Sequence, residues 1–133
     1  MTKNINVGLL VLRVSVGLLM LLHGFAKLVG GIGFIQGMLE SKGLPGFIAY
    51  GVLVGEVLAP LALIVGFRTR IAAAIFAFNT LVAMLLAHSQ QIFSMGEHGG
   101  WAVELLGLYL FGAVALIFTG GGNIALSSKN KWD

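Results

Sequence analysis

Residues 7–29 read VGLLVLRVSVGLLMLLHGFAKLV. This stretch decides the fold. Only Arg13, His23 and Lys27 in it are ionisable. Its length suits one bilayer-crossing helix, which needs ~20 mostly apolar residues. It lacks the strict alternation of a barrel strand. Lys3 precedes it, but it is long for the apolar core of a cleaved signal. Arg13 interrupts it and no small-x-small site follows, so it reads as a retained span. Three more windows share its character, at 47–67, 71–91 and 101–118.

The rest of the composition agrees. Of 133 residues, 58% are apolar and 10% charged, against about 45–50% and about 25% in a soluble domain. Such a chain cannot cover a water-facing surface. That excludes a soluble enzyme, a secreted disulfide scaffold and a nucleic-acid partner. With no cysteine, the chain can do no thiol–disulfide chemistry and can hold no iron–sulfur cluster or thiolate-ligated haem. The expected architecture is all-α: residues 1–133 form a single transmembrane domain, a four-helix bundle in the lipid bilayer. Between spans one and two, Phe34, Ile35, Met38 and Leu39 recur at helical spacing. They predict a short interfacial helix that closes the outer mouth of the bundle, and Pro45-Gly46 then turns the chain into span two.

Basic residues set the orientation. Lys3, Arg68, Arg70, Lys129 and Lys131 fall on one side of four spans, and Lys27 and Lys42 on the other. The positive-inside rule puts both termini in the cytoplasm. Trp101 and Trp132 suit the membrane interface.

Charges within spans are expensive, roughly 2.5–3.5 kcal/mol near a helix centre, so each one marks a candidate site. On a helical wheel Arg13, Gly17, Met20, Gly24 and Lys27 lie within about 40° of one another, and His23 borders that face. Glu56 lies near the middle of span two. Pro60, four residues later, has no N–H for the Glu56 carbonyl. Asn79 and Thr80 lie in the body of span three, His88 at its outer end, and Glu104 in the first turn of span four. At 1.5 Å per residue, His23 and Lys27 lie about 0–8 Å below the outer end, His88 and Glu104 at similar levels, and Glu56 about 13 Å down. Four helices thus direct ionisable groups into the outer half of the bundle.

Plainer roles exist for each residue alone. Arg13 and Glu56 suit a structural ion pair between spans one and two. Lys27 can snorkel to the interface. His88 and Glu104 complement helix dipoles. Gly51 and Gly55 suit a packing face, which the wheel places well away from Glu56. Glu97 and His98 suit a solvated loop. These roles do not explain His23, Glu56, His88 and Glu104 on four different helices. That set suits proton exchange at the oxygens of a quinone. Metal ligation by the same four residues is a weaker alternative, because neither histidine lies in a spaced metal motif. Haem ligation by the two histidines is weaker still.

The strings LRVSVGLLMLLHGFAKL, GEVLAPLALIVGFRTRIAAAIFA and GGWAVELLGLYL, with His88 between the last two, resemble the DoxX family of small four-helix membrane proteins. The resemblance runs from about Val11 to Gly122, and HGxxKL and GFRTRIAA are its most specific parts. GGGNIAL resembles the family's glycine-rich segment, although Ala125, Leu126 and Ser127 depart from its usual ending. The resemblance implies a redox-associated subunit of a bacterial cytoplasmic (inner) membrane, linked to quinone oxidation. Arg13, His23, Lys27, Glu56, His88 and Glu104 match its recurring polar positions. The expected function is binding of a quinone or similar small redox-active molecule. His23 and His88 would hold its oxygens, Glu56 and Glu104 would relay protons, and Lys27 would offset negative charge. A redox-enzyme partner or a homo-oligomer would complete the system. A non-catalytic assembly scaffold and a small solute or ion transporter are the alternatives.

Overall fold

The computed structural model describes residues 2–133. Five helices follow in chain order: α1 Ile5–Gly30, α2 Gly33–Ser41, α3 Gly46–Val65, α4 Thr69–Ala87 and α5 Glu104–Thr119. Among the described residues the only strand-like pairing is one isolated bridge, Met95 to Trp101. Helices α1, α3, α4 and α5 form an up-down-up-down ring in which each packs on the next and α5 returns to α1. This is an all-helical bundle, as the apolar windows predict.

Three of these helices are long and apolar enough to cross a bilayer. α5 is apolar but has 16 residues, about 24 Å against a hydrocarbon core of about 30 Å. It starts at Glu104, three residues later than the apolar window. Residues 101–103 instead form a turn in which Trp101 folds over Gly107 and donates its indole N–H to the Ile92 carbonyl. Span three also stops early, at Ala87, and a short 3-10 turn carries the chain from Ser89 to Gln91. α2 is the predicted short helix, and its Leu39 is buried.

The buried residues of α1 are Arg13, Gly17, Met20 and Gly24, four of the five that the wheel groups. Small residues on that face let α1 and α3 approach closely. A Cβ at Gly17 would come within 2.8 Å of the Pro60 carbonyl oxygen, and one at Gly24 would overlap the Glu56 carbonyl. α3 is not a uniform α-helix. Residues Val54–Leu58 form a π turn, in which the Ala59 N–H reaches back to the Val54 carbonyl. Pro60 explains why it sits here: without an N–H the chain cannot bond Glu56 in α-register. π turns concentrate at functional sites, and this one carries Glu56.

At the opposite end of the bundle the arginines bind main-chain oxygens. Arg13, only 1% exposed, donates to the carbonyls of Leu63, Ile64, Gly121 and Ile124. Leu63 and Ile64 lie in the last turn of α3, where the helix dipole is negative and the carbonyls lack helical partners. Arg70 likewise reaches Ile117 in the last turn of α5 at 2.7 Å. Arg68 pairs with Asp133 at 3.0 Å and donates to Ser127. Together these contacts tie residues 120–133 to the end of the bundle.

Candidate functional site

A cavity of about 730 Å³ lies in the end of the bundle away from those arginines. Every helix contributes to its wall. α1 gives Met20, His23 and Lys27, the π turn gives Glu56, α4 gives Asn79, Thr80 and His88, and α5 gives Leu106 and Tyr109. α2 covers one side with Phe34, Ile35, Met38 and Leu39. The fit of α2 follows from its sequence: apolar residues recur at helical spacing, and Leu39 is buried and Ile35 and Met38 half-buried against the bundle, while Phe34 stays exposed.

The polar pole of the cavity is a salt bridge. Lys27 Nζ lies 2.7 Å from each Glu56 carboxylate oxygen. The Glu56 side chain is 6% exposed and that of Lys27 37%. Lys27 therefore turns into the bundle instead of snorkelling. Two facts place Glu56 here: the π turn aims its side chain inward, and Gly24 leaves room for its carbonyl against α1.

Next to the pair, His23 meets the Tyr109 ring edge-on at 6.2 Å between centroids, and Tyr109 packs on Phe76 at 5.9 Å. Tyr109 is buried and lines the cavity, yet its hydroxyl makes no hydrogen bond to the described residues. His88 faces Gln91, with Nδ1 and Oε1 2.7 Å apart. Thr80 is satisfied by the Phe76 carbonyl of its own helix.

Four of the candidate residues, His23, Lys27, Glu56 and His88, therefore line one cavity. Two do not. Arg13 is bound to carbonyls at the other end of the bundle, so the expected Arg13–Glu56 ion pair is replaced by Lys27–Glu56. Glu104 is exposed and off the cavity wall, and its carboxylate folds back over Gly100. The late start of α5 accounts for this, because it leaves Val103 and Leu106 facing inward instead. The four residues of the metal alternative are not gathered either. Lys27 occupies the Glu56 carboxylate, Glu104 points away, and no three potential ligands gather among the described residues.

Gly55 and Gly51 also depart from expectation. Gly55 packs against the Asn79 side chain, as a packing glycine should, but a Cβ at Gly51 would meet nothing within 4 Å. Both line the cavity together with Glu56, because the π turn breaks the α-register that separates them on a wheel. Tyr109 is the residue the sequence reading passes over. Within an almost wholly apolar helix a single tyrosine looks like core. The signal that could have found it is its phenolic oxygen, which needs a partner wherever it is buried.

The fold and the cavity define a small helical membrane protein with an ionisable chamber at one end. The chain belongs to the DoxX family: the family model matches residues 8–89. CatD of Bacillus subtilis (strain 168), provisionally named an oxidoreductase, is 32% identical over 95% of this chain and 89% of its own. The inner membrane protein YqjF of Escherichia coli (strain K12) is 38% identical over 67% of this chain and 68% of its own. YphA, also named an inner membrane protein of that strain, is 35% identical over 60% and 58%. No solved structure matches the chain.

Proposed function

We propose that the cavity binds a quinone or a similar small redox-active molecule, and that the chain is a redox-associated subunit of a bacterial cytoplasmic membrane. The observation that carries this reading is the chamber itself. It pairs apolar walls with a polar pole built from Lys27, Glu56, His23 and Tyr109. The oxidoreductase name of CatD and the inner-membrane names of the two Escherichia coli proteins support it. The five basic residues at the Arg68–Arg70 end favour both termini on the cytoplasmic side.

The residues fit such a molecule. The volume is within the range of small-molecule sites, about 300–1,000 Å³. The free Tyr109 hydroxyl can donate to one of its oxygens, and His23 beside it can donate or accept. A bound quinone would supply the electron transfer. The chain's residues orient it, exclude water and manage protons. Glu56, held by Lys27, is the carboxylate placed to take or return one. Glu104 has no such place. A partner enzyme, or a second copy of the chain, would complete the electron path.

The test is purification in a mild detergent, extraction of bound lipids and mass spectrometry, followed by addition of quinone. Copurified quinone, or a melting point that rises with added quinone, is the expected result. Absence of both ends this reading.

A further inference from the structure

The cavity has a covered top and an open side. α2 lies over its outer mouth, with Leu39 buried against the bundle. Between α3 and α4 the wall is thin. Gly51 has no side chain there and faces open space. Ile48, Ile75 and Phe78 line the cavity yet are exposed on the outside of the bundle, Phe78 by 70%.

The depth of this gap matters. Gly51 is five residues past the start of α3, about 8 Å along the axis, and Phe78 is nine residues before the end of α4, about 14 Å. Both lie within the apolar length of their helices, so the gap opens onto hydrocarbon, not water. Ile48, Ile75 and Phe78 give it an apolar border.

We infer that the gap at Gly51, between α3 and α4, is a lateral window through which the cavity's occupant extends an apolar tail into the bilayer. The inference rests on the quinone reading above and deepens it. The occupant is then a lipid whose compact head sits in the chamber. About 730 Å³ takes a substituted ring and the first part of a chain. A long tail has to leave, and Gly51 is where no side chain blocks it. The head is also restricted in charge. Lys27 and Glu56 satisfy each other in a bidentate pair, so the lysine on the wall is already matched and not free for an anionic headgroup. A neutral head with an oxygen for Tyr109 is the chemistry that matches.

Gly51→Trp places a wedge in the window and Gly51→Leu a smaller one. Neither Cβ meets a neighbour, and leaving glycine favours the helix by up to about 1 kcal/mol, so both variants should fold. Binding to protein in lipid nanodiscs would be read by melting shift with two probes. One is a dimethoxy-methylbenzoquinone with a polyisoprenoid tail too long for the chamber and the other is its tailless counterpart.

The expected result is that the native chain binds both probes. The wedges weaken the tailed probe at least tenfold, Trp more than Leu, and leave the tailless probe within about threefold. Equal binding of the tailed probe by native and wedged chains overturns the window and leaves the quinone reading standing. Loss of both probes places the wedge inside the chamber and also overturns it. If the native chain binds neither probe, the quinone reading fails and the window falls with it.

Discussion

Lys27 of α1 grips both carboxylate oxygens of Glu56 at 2.7 Å, from a helix that starts 41 residues before the one carrying its partner. The pair bridges α1 to the π turn of α3 and forms the polar pole of the cavity. Inside an apolar bundle its two halves depend on each other. A lone buried charge costs far more than a matched pair.

Removing one half should therefore be worse than removing both. A fully buried pair broken on one side costs roughly 3–5 kcal/mol. Lys27 is more than a third exposed, which discounts that range to about 2–3 kcal/mol. Lys27→Met, which leaves the carboxylate stranded, should cost that much. Glu56→Gln should cost less, since the freed lysine can reach toward the interface. The double variant should recover most of the Lys27→Met loss. Melting of all four proteins in one detergent measures the coupling; simple additivity would contradict it.

Gly24 and Gly51 should respond oppositely to alanine. A methyl at Gly24 overlaps the Glu56 carbonyl, whereas one at Gly51 meets nothing. Gly24→Ala should cost about 2–3 kcal/mol or displace the π turn, in the range of overpacked cores. Gly51→Ala should be neutral or gain up to about 1 kcal/mol from helix propensity. The same melting assay checks both, and a costly Gly51→Ala would show that the α3–α4 wall is packed after all.

Arg13 holds four carbonyls from two regions of the chain. Lysine keeps the charge but has no planar fork. Arg13→Lys should release residues 120–133 to added protease while the cavity still binds its probes. Arg13→Met should be destabilised further. Limited proteolysis followed by mass spectrometry reads the release directly. Protection equal to the native chain would mean that Arg68 and Arg70 hold the segment without Arg13.

Acid should loosen the same end. Burial pushes the Asp133 carboxyl up, but hydrogen bonds from Ser127, the Asn130 amide and Arg68, with the Arg68 charge, outweigh it and hold the group below its ordinary value of 3.8. A depressed carboxyl stabilises the fold fully above its unfolded value and loses that contribution as pH falls through its folded one. The native chain should thus melt above Asp133→Asn by a constant margin between pH 5 and 8. The margin should close below about pH 4. A margin independent of pH would show that the carboxylate charge is not what matters.

Much of this was legible in the sequence, for a physical reason. Burial on α1 follows the wheel because Arg13, Gly17, Met20 and Gly24 lie on a regular helix. The α2 cover follows from its apolar spacing. What periodicity cannot see is main-chain chemistry. The expected partner of Arg13 is a carboxylate, but its acceptors are carbonyls at a helix end and in a segment more than 100 positions away. The spacing predicts Glu104 in the chamber, but Trp101 packing on Gly107 delays the helix and turns the carboxylate out. The π turn likewise places Gly51, Gly55 and Glu56 on one wall, against the register of a straight helix.

Tyr109 tests the chamber most directly, because it has nothing else to do with its hydroxyl. Its ring is fixed between His23 and Phe76, so Tyr109→Phe keeps the packing and removes one oxygen. If that hydroxyl donates to a ligand oxygen, its loss should weaken binding of the tailless benzoquinone about tenfold, near the 1.4 kcal/mol expected of one hydrogen bond. The melting point without ligand should change little, since no protein partner is left unsatisfied. A variant that melts lower but binds as before would make Tyr109 part of the core alone. Unchanged melting with tenfold weaker binding separates a ligand contact from a structural one.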